Sequence, residues 1–84
     1  MSLMKIHVRL FASLREAAGR PEVPLDLSPG ATAEDAWQSL TAAHPSLTSK
    51  RPNLAASVNR RYAPFDTPLS EGDEVVFIPP VSGG

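Results

Sequence analysis

Cysteine is absent from the 84-residue chain, which removes a disulfide framework, a thiolate metal cluster and a cysteine nucleophile together. A chain this small without covalent staples depends on its core alone. An excess of either charge is also missing: eight Lys and Arg stand against nine Asp and Glu, for a net charge of −1. That balance offers no footprint for nucleic acid or an anionic membrane. Apolar runs stop at a handful of residues, too short for a membrane-spanning helix. The start lacks the basic and apolar regions of a secretory signal, so the sequence reads as that of a cytoplasmic protein.

Self-contained chemistry is equally hard to find. Ser13, Ser28, Ser39, Ser57 and Ser82 have no nucleophile-elbow context, and there is no phosphate-cradling glycine loop. His7 and His44 fall on different segments without patterned carboxylates, which argues against a metal site. A domain of this length buries roughly 60 to 65% of its surface, too little to enclose both a cofactor cleft and a substrate pocket. Any chemistry must therefore use the chain's own atoms or a partner's.

What the sequence does contain is regular patterning. Ile6, Val8 and Leu10 alternate with Lys5, His7, Arg9 and Phe11, the signature of a half-buried strand. Ala12 to Ala18 is rich in helix formers and stops at Gly19, predicting a short helical turn. Val23, Leu25 and Leu27 form a second alternating run, and Pro24 within it places that strand at a sheet edge. After the Ser28-Pro29-Gly30 turn, Thr32 is positioned to cap a helix, with Glu34 and Asp35 at the positive end of its dipole. Ala33, Ala36, Trp37, Leu40 and Ala43 then recur at helical spacing until Pro45, giving a stripe to lie across the sheet with Trp37 at the core's centre.

Ser46 to Asn53 reads as a polar loop. Leu54, Ala56 and Val58 share one face of a third strand, Asn59-Arg60-Arg61 forms a turn, and Tyr62 to Phe65 a short fourth strand. The last strand is Glu74 to Ile78, after the Glu71-Gly72-Asp73 turn. The order β, β, α, β, short β, β predicts an α+β fold, with a sheet of about five strands and one main helix on one face. With Val75 and Phe77 turned to that helix, Val76 and Ile78 face away, as Phe11 does in the first strand. Phe11, Ile78 and Tyr62 are then expected in an exposed apolar patch of the kind that marks a partner surface, unless a side layer or loop covers them. The basic pairs Lys50-Arg51 and Arg60-Arg61 are usually solvated surface, or else steer an acidic partner.

The chain finishes Pro79-Pro80-Val81-Ser82-Gly83-Gly84. A frayed end is the ordinary reading of such a tail. Here, though, a strand runs straight into two prolines, which favour extended geometry and project the last residues outward. Six extended residues span about 20 Å, enough to enter another protein's pocket, and glycine's missing Cβ permits a narrow channel. The terminal carboxylate is a poor electrophile until activated. Attack on the α-phosphate of ATP would convert it to an acyl-adenylate that a sulfur or nitrogen nucleophile can open.

Leu10-Phe11-Ala12, Leu14-Arg15-Glu16, Val58-Asn59, Leu69-Ser70-Glu71-Gly72-Asp73-Glu74-Val75 and the closing Phe77-Ile78-Pro79-Pro80-Val81-Ser82-Gly83-Gly84 together resemble the molybdopterin synthase small-subunit family of sulfur carriers. The resemblance runs from about Met4 to Gly84. It implies a ubiquitin-like β-grasp domain over residues 4–84 with an extended tail 79–84; with Met4 as a candidate start, residues 1–3 read either as a non-native lead or as a native one. It further implies that Gly84, preceded by Gly83, is adenylated by an E1-like adenylyltransferase using ATP and magnesium and converted to a thiocarboxylate, with a sulfurtransferase as sulfur source. Pro79, Pro80, Val81 and Ser82 would enter the large synthase subunit, which holds the pterin and supplies a catalytic lysine, so that precursor Z (cyclic pyranopterin monophosphate) receives sulfur. The chain itself would bind no cofactor and would not be catalytic alone. Phe11, Tyr62 and Ile78 match the family's interface positions, Tyr62 standing where an aliphatic residue is expected, and the assembly implied is a heterotetramer. The alternatives are a thiamin-pathway sulfur carrier, a protein modifier and a non-conjugating interaction domain.

Overall fold

The computed structural model describes residues 2–80. Five strands make one mixed sheet: β1 (Met4–Leu10), β2 (Glu22–Leu27), β3 (Ala55–Val58), β4 (Arg61–Ala63) and β5 (Glu74–Ile78), in the order β2-β1-β5-β3-β4. β1 and β5 run parallel at the centre, and the β1–β2, β3–β5 and β3–β4 pairs are antiparallel. Because β2 is an edge, Pro24 costs no interior ladder bond, as its position predicts.

The main helix, α2 (Ala33–Ala43), starts at a capping box. The Thr32 hydroxyl accepts from the Asp35 backbone N–H at 3.3 Å, and the Asp35 carboxylate accepts from the Thr32 N–H at 2.9 Å. Ala33, Ala36, Trp37 and Leu40 are buried against the inward residues Ile6, Val8, Leu10, Val75 and Phe77, whereas Ala43, expected to close the stripe, is exposed at the helix end. The short helix α1 (Ala12–Ala18) buries Leu14 and ends at Gly19, whose φ of 75° supplies the left-handed cap.

The stretch expected to be a polar loop is instead a 3-10 helix over Pro45–Lys50. Its one large apolar residue, Leu47, is fully buried, and Pro45 at its start both stops α2 and begins this turn. Just beyond it, Arg51 reaches back to Glu34 on α2, its Nε and Nη2 donating to one carboxylate oxygen at 3.1 and 2.7 Å. The same guanidinium lies 3.8 Å from the Phe65 ring centroid. Phe65 stacks on Phe77 at 6.0 Å, and Phe77 meets Trp37 edge to face at 5.0 Å. One ladder thus joins the surface ion pair to the middle of the core. The Arg51 hydrogen bonds, then that from Gln38, hold the Glu34 carboxyl below the usual glutamate range.

Among the described residues, four other than glycine have φ in the left-handed region: Ala12 at 50°, Asn53 at 62°, Asn59 at 51° and Arg60 at 72°. Asparagine tolerates this geometry. For alanine or arginine it costs about 1 kcal/mol. The β3–β4 turn is Asn59-Arg60 alone, because Arg61 already pairs with Val58 in the ladder.

Candidate functional site: the helix-free face of the sheet

Among the described residues no helix covers the outward face of the sheet, and the register decides which residues share it. Glu22, Arg9, Val76, Ser57 and Tyr62 are successive cross-strand partners, so they form one row spanning all five strands. The next row toward the end of β5 contains Ile78 opposite Ala55, with Phe11 immediately after the last residue of β1. Phe11 itself lies outside the strand: it is the N-cap of α1, with extended backbone (φ −130°, ψ 159°), and the left-handed Ala12 turns the chain away behind it.

This face divides into two halves. Toward β2 it is ionic, with Lys5 3.7 Å from Asp26, His7 3.9 Å from Glu22 and Arg9 3.6 Å from Glu74. Such exposed pairs contribute little to stability, but each basic side chain of that half stands beside a carboxylate, the His7–Glu22 contact being an ion pair only when the imidazole is protonated. Toward the end of β5 the face is apolar: Phe11 is 46% exposed, Tyr62 is 80% exposed, and Val76, Ile78 and Ala55 are half-buried. Ser57 is buried on this side, hemmed in by Val76 and Tyr62. Small Ala55 and Ser57 therefore form a low floor between taller neighbours. The guanidinium of Arg9 lies 5.7 Å from the Phe11 ring centroid at the boundary of the two halves.

The three residues expected in an exposed patch thus lie on one face, though not equally: Ile78 is half-buried and Tyr62 stands on the edge strand, across Ser57 and Val76 from the β1 side. Sequence reading missed Arg9, Ala55 and Ser57 as members. The strand period does put Arg9 on the same side as Phe11 and could have assigned Ser57 to a side, but only the pairing register shows that they are neighbours. Pro79 and Pro80 come directly after β5, half-buried and exposed in turn, so the chain leaves the sheet beside Ile78. Val81, Ser82, Gly83 and Gly84, expected to carry the chemistry, lie outside the described residues. His7 lies on β1 and His44 caps the end of α2, on separate elements.

A parallel β1–β5 centre, a helix across one face and a final strand leading into the C-terminal segment define a small ubiquitin-like β-grasp protein. The ubiquitin of Caldiarchaeum subterraneum shares the fold, with a TM-score of 0.64 at 19% identity, covering 98% of this chain and 99% of that one. The chain belongs to the ThiS family, whose model matches residues 8–84. It is 43% identical over 83 residues to the molybdopterin synthase sulfur carrier subunit of Chlamydomonas reinhardtii, covering 96% of this chain and all of that protein. The crystal structure of SAMP1 from Haloferax volcanii superposes with a TM-score of 0.88 at 34% identity, covering 95% of this chain and 99% of that one.

Proposed function

We propose that this chain is the sulfur carrier subunit of a molybdopterin synthase, acting in the cytoplasm as the sulfur-donating part of a sulfurtransferase. The observation that carries the reading is positional: the apolar half of the helix-free face lies beside the point where β5 gives way to Pro79-Pro80. A protein that grips this face is therefore placed to receive the tail. The full-length similarity to a sulfur carrier subunit supports the same role.

In this reading an E1-like adenylyltransferase binds ATP and magnesium. A Gly84 carboxylate oxygen attacks the α-phosphorus, pyrophosphate leaves, and the resulting mixed anhydride makes the carbonyl electrophilic. Hydrosulfide supplied by a sulfurtransferase adds to that carbonyl and expels AMP, and loss of the proton leaves the thiocarboxylate. The large synthase subunit then takes in residues 79–84 and presents precursor Z to the sulfur. Two carriers on a large-subunit dimer would form the heterotetramer. This chain contributes the docking face and the reacting atom, while catalytic side chains and cofactors belong to its partners.

The likeness to SAMP1, the small archaeal modifier protein 1 of Haloferax volcanii, favours a second reading, that of a protein modifier, in which the same activated carbonyl is opened by an amine. A reconstitution with activating enzyme, ATP, sulfide, large subunit and precursor Z separates the two: sulfur appearing in the pterin supports the carrier, and amide-linked protein adducts without pterin sulfur overturn it. The docking half of the proposal has its own test. Phe11→Lys or Ile78→Lys places a charge on the apolar surface, and we expect calorimetry to show binding to the large subunit weakened about 30-fold or more. Unchanged affinity in both variants would remove this face from the mechanism.

A further inference from the structure

We propose that the tip of the β3–β4 hairpin, carrying Arg60 two residues before Tyr62, is a second recognition element that pairs with an acidic patch on the protein that docks on the helix-free face. The inference rests on the docking reading above and identifies the charge that partner must present. The first observation is conformational. Val58 and Arg61 are ladder partners, so Asn59 and Arg60 are the two central residues of a tight turn, with φ of 51° and 72°. Turns of this kind need left-handed backbone at both positions, and the second is filled most easily by glycine. An arginine there is held against local preference, and strained residues of this sort concentrate where a side chain is used.

The second observation is that the turn is rigidly held. The Asn59 backbone N–H donates to the Glu74 carbonyl at 2.8 Å, the Asn59 side-chain carbonyl accepts from the Glu74 N–H at 3.0 Å, and its Nδ2 donates to Asp73 at 2.8 Å. Arg60 is therefore presented from a fixed platform. The third is charge. Lys5, His7 and Arg9, the other basic residues of the face, each stand beside a carboxylate, whereas Arg60 enters none of the ion pairs among the described residues. The two arginines of the basic pair also differ in place: Arg61, aligned with Val58, belongs by strand alternation to the helix side, whereas Arg60 is an exposed residue of the turn itself.

Position identifies what Arg60 would read. The tip adjoins Glu74 at the start of β5, and the tail leaves after Ile78, about 13 Å further along at strand rise. A protein that holds only the tail never meets Arg60. One that covers the face from end to end does, and burying an unpaired guanidinium against a neutral surface would be unfavourable. The complementary group is therefore a carboxylate cluster at the far end of the large subunit's docking surface.

The test uses the full chain and the large subunit of molybdopterin synthase from the same organism, with calorimetry at about 50 and about 500 mM NaCl, where screening lengths differ several-fold. Arg60→Gly should melt at the same or a higher temperature, bind about five-fold more weakly at low salt, and match the wild type at high salt; Arg60→Lys should regain most of the loss. Equal binding by Arg60→Gly at low salt, or a loss that salt does not change, overturns the proposal. If Phe11→Lys still weakens binding in that case, the docking reading stands without Arg60. If Phe11→Lys and Ile78→Lys also bind normally, the docking reading falls with it.

Discussion

Deleting Gly84 should abolish sulfur transfer while leaving the fold's stability unchanged. Among the described residues the last buried one is Phe77, seven positions before Gly84. The deletion moves the terminal carbonyl back by one residue, about 3.3 Å. In a site built for near-attack geometry, a displacement of about 1 Å already costs on the order of 100-fold. Adenylation by the activating enzyme and transfer within the synthase should therefore both fall by at least about 100-fold, with thermal melts superimposable on the wild type. A deletion variant that supports normal turnover would show that the reacting atom lies elsewhere. One that loses activity together with stability would instead show that the tail is structural.

The second large effect is on folding. Trp37 is 2% exposed and lies against Phe77, which Phe65 and then Arg51 cover in turn. Trp37→Ala removes the member that joins α2 to β5, and replacing a packed aromatic by alanine typically costs about 3 to 5 kcal/mol. A domain of this size has total stability of only about 4 to 13 kcal/mol at typical values per residue. The melting temperature should fall by about 15 to 30 °C, and the variant should be partly unfolded at physiological temperature. A fall of less than about 5 °C would mean that the site relaxes to fill the cavity, and that the aromatic ladder is not the centre of the core. Phe77 is succeeded immediately by Ile78 and the two prolines, so this core also sets where the tail leaves the sheet.

How much of this was legible in the sequence depends on which signals are local. β1, β2, α2 and β5 carry their own periodicity, and Thr32 and Pro24 are residues whose chemistry has few other uses in those positions. The 3-10 helix over Pro45–Lys50 was illegible because a single buried Leu47 in a polar stretch carries no period. Arg51 read as a solvated loop residue, since its partners, Glu34 and Phe65, are distant in sequence and meet it only in the folded chain. Ser57 is buried because of what stands on the neighbouring strands, and cross-strand register is not a property of its own segment. Arg60 was visible as a charge but not as a left-handed residue, since nothing about arginine announces that backbone. The face was therefore foreseeable in outline through Phe11, Tyr62 and Ile78, while its floor, its ionic half and its pinned corner were not.

The same separation divides the functional account. The body of the domain offers a surface and a direction, and the proposed chemistry is confined to one terminal carbonyl. The measurement that tests this most directly is the intact mass of the chain after incubation with activating enzyme, ATP, magnesium and sulfide, with fragmentation to locate the change. Replacement of one carboxylate oxygen by sulfur should add about 16 Da, and because methionine oxidation adds the same nominal mass, the gain must map to Gly84 and not to Met1 or Met4. A gain confined to Gly84 that disappears when precursor Z and the large subunit are added is the predicted result. No gain at Gly84, under conditions in which the pterin still acquires sulfur, would contradict the account.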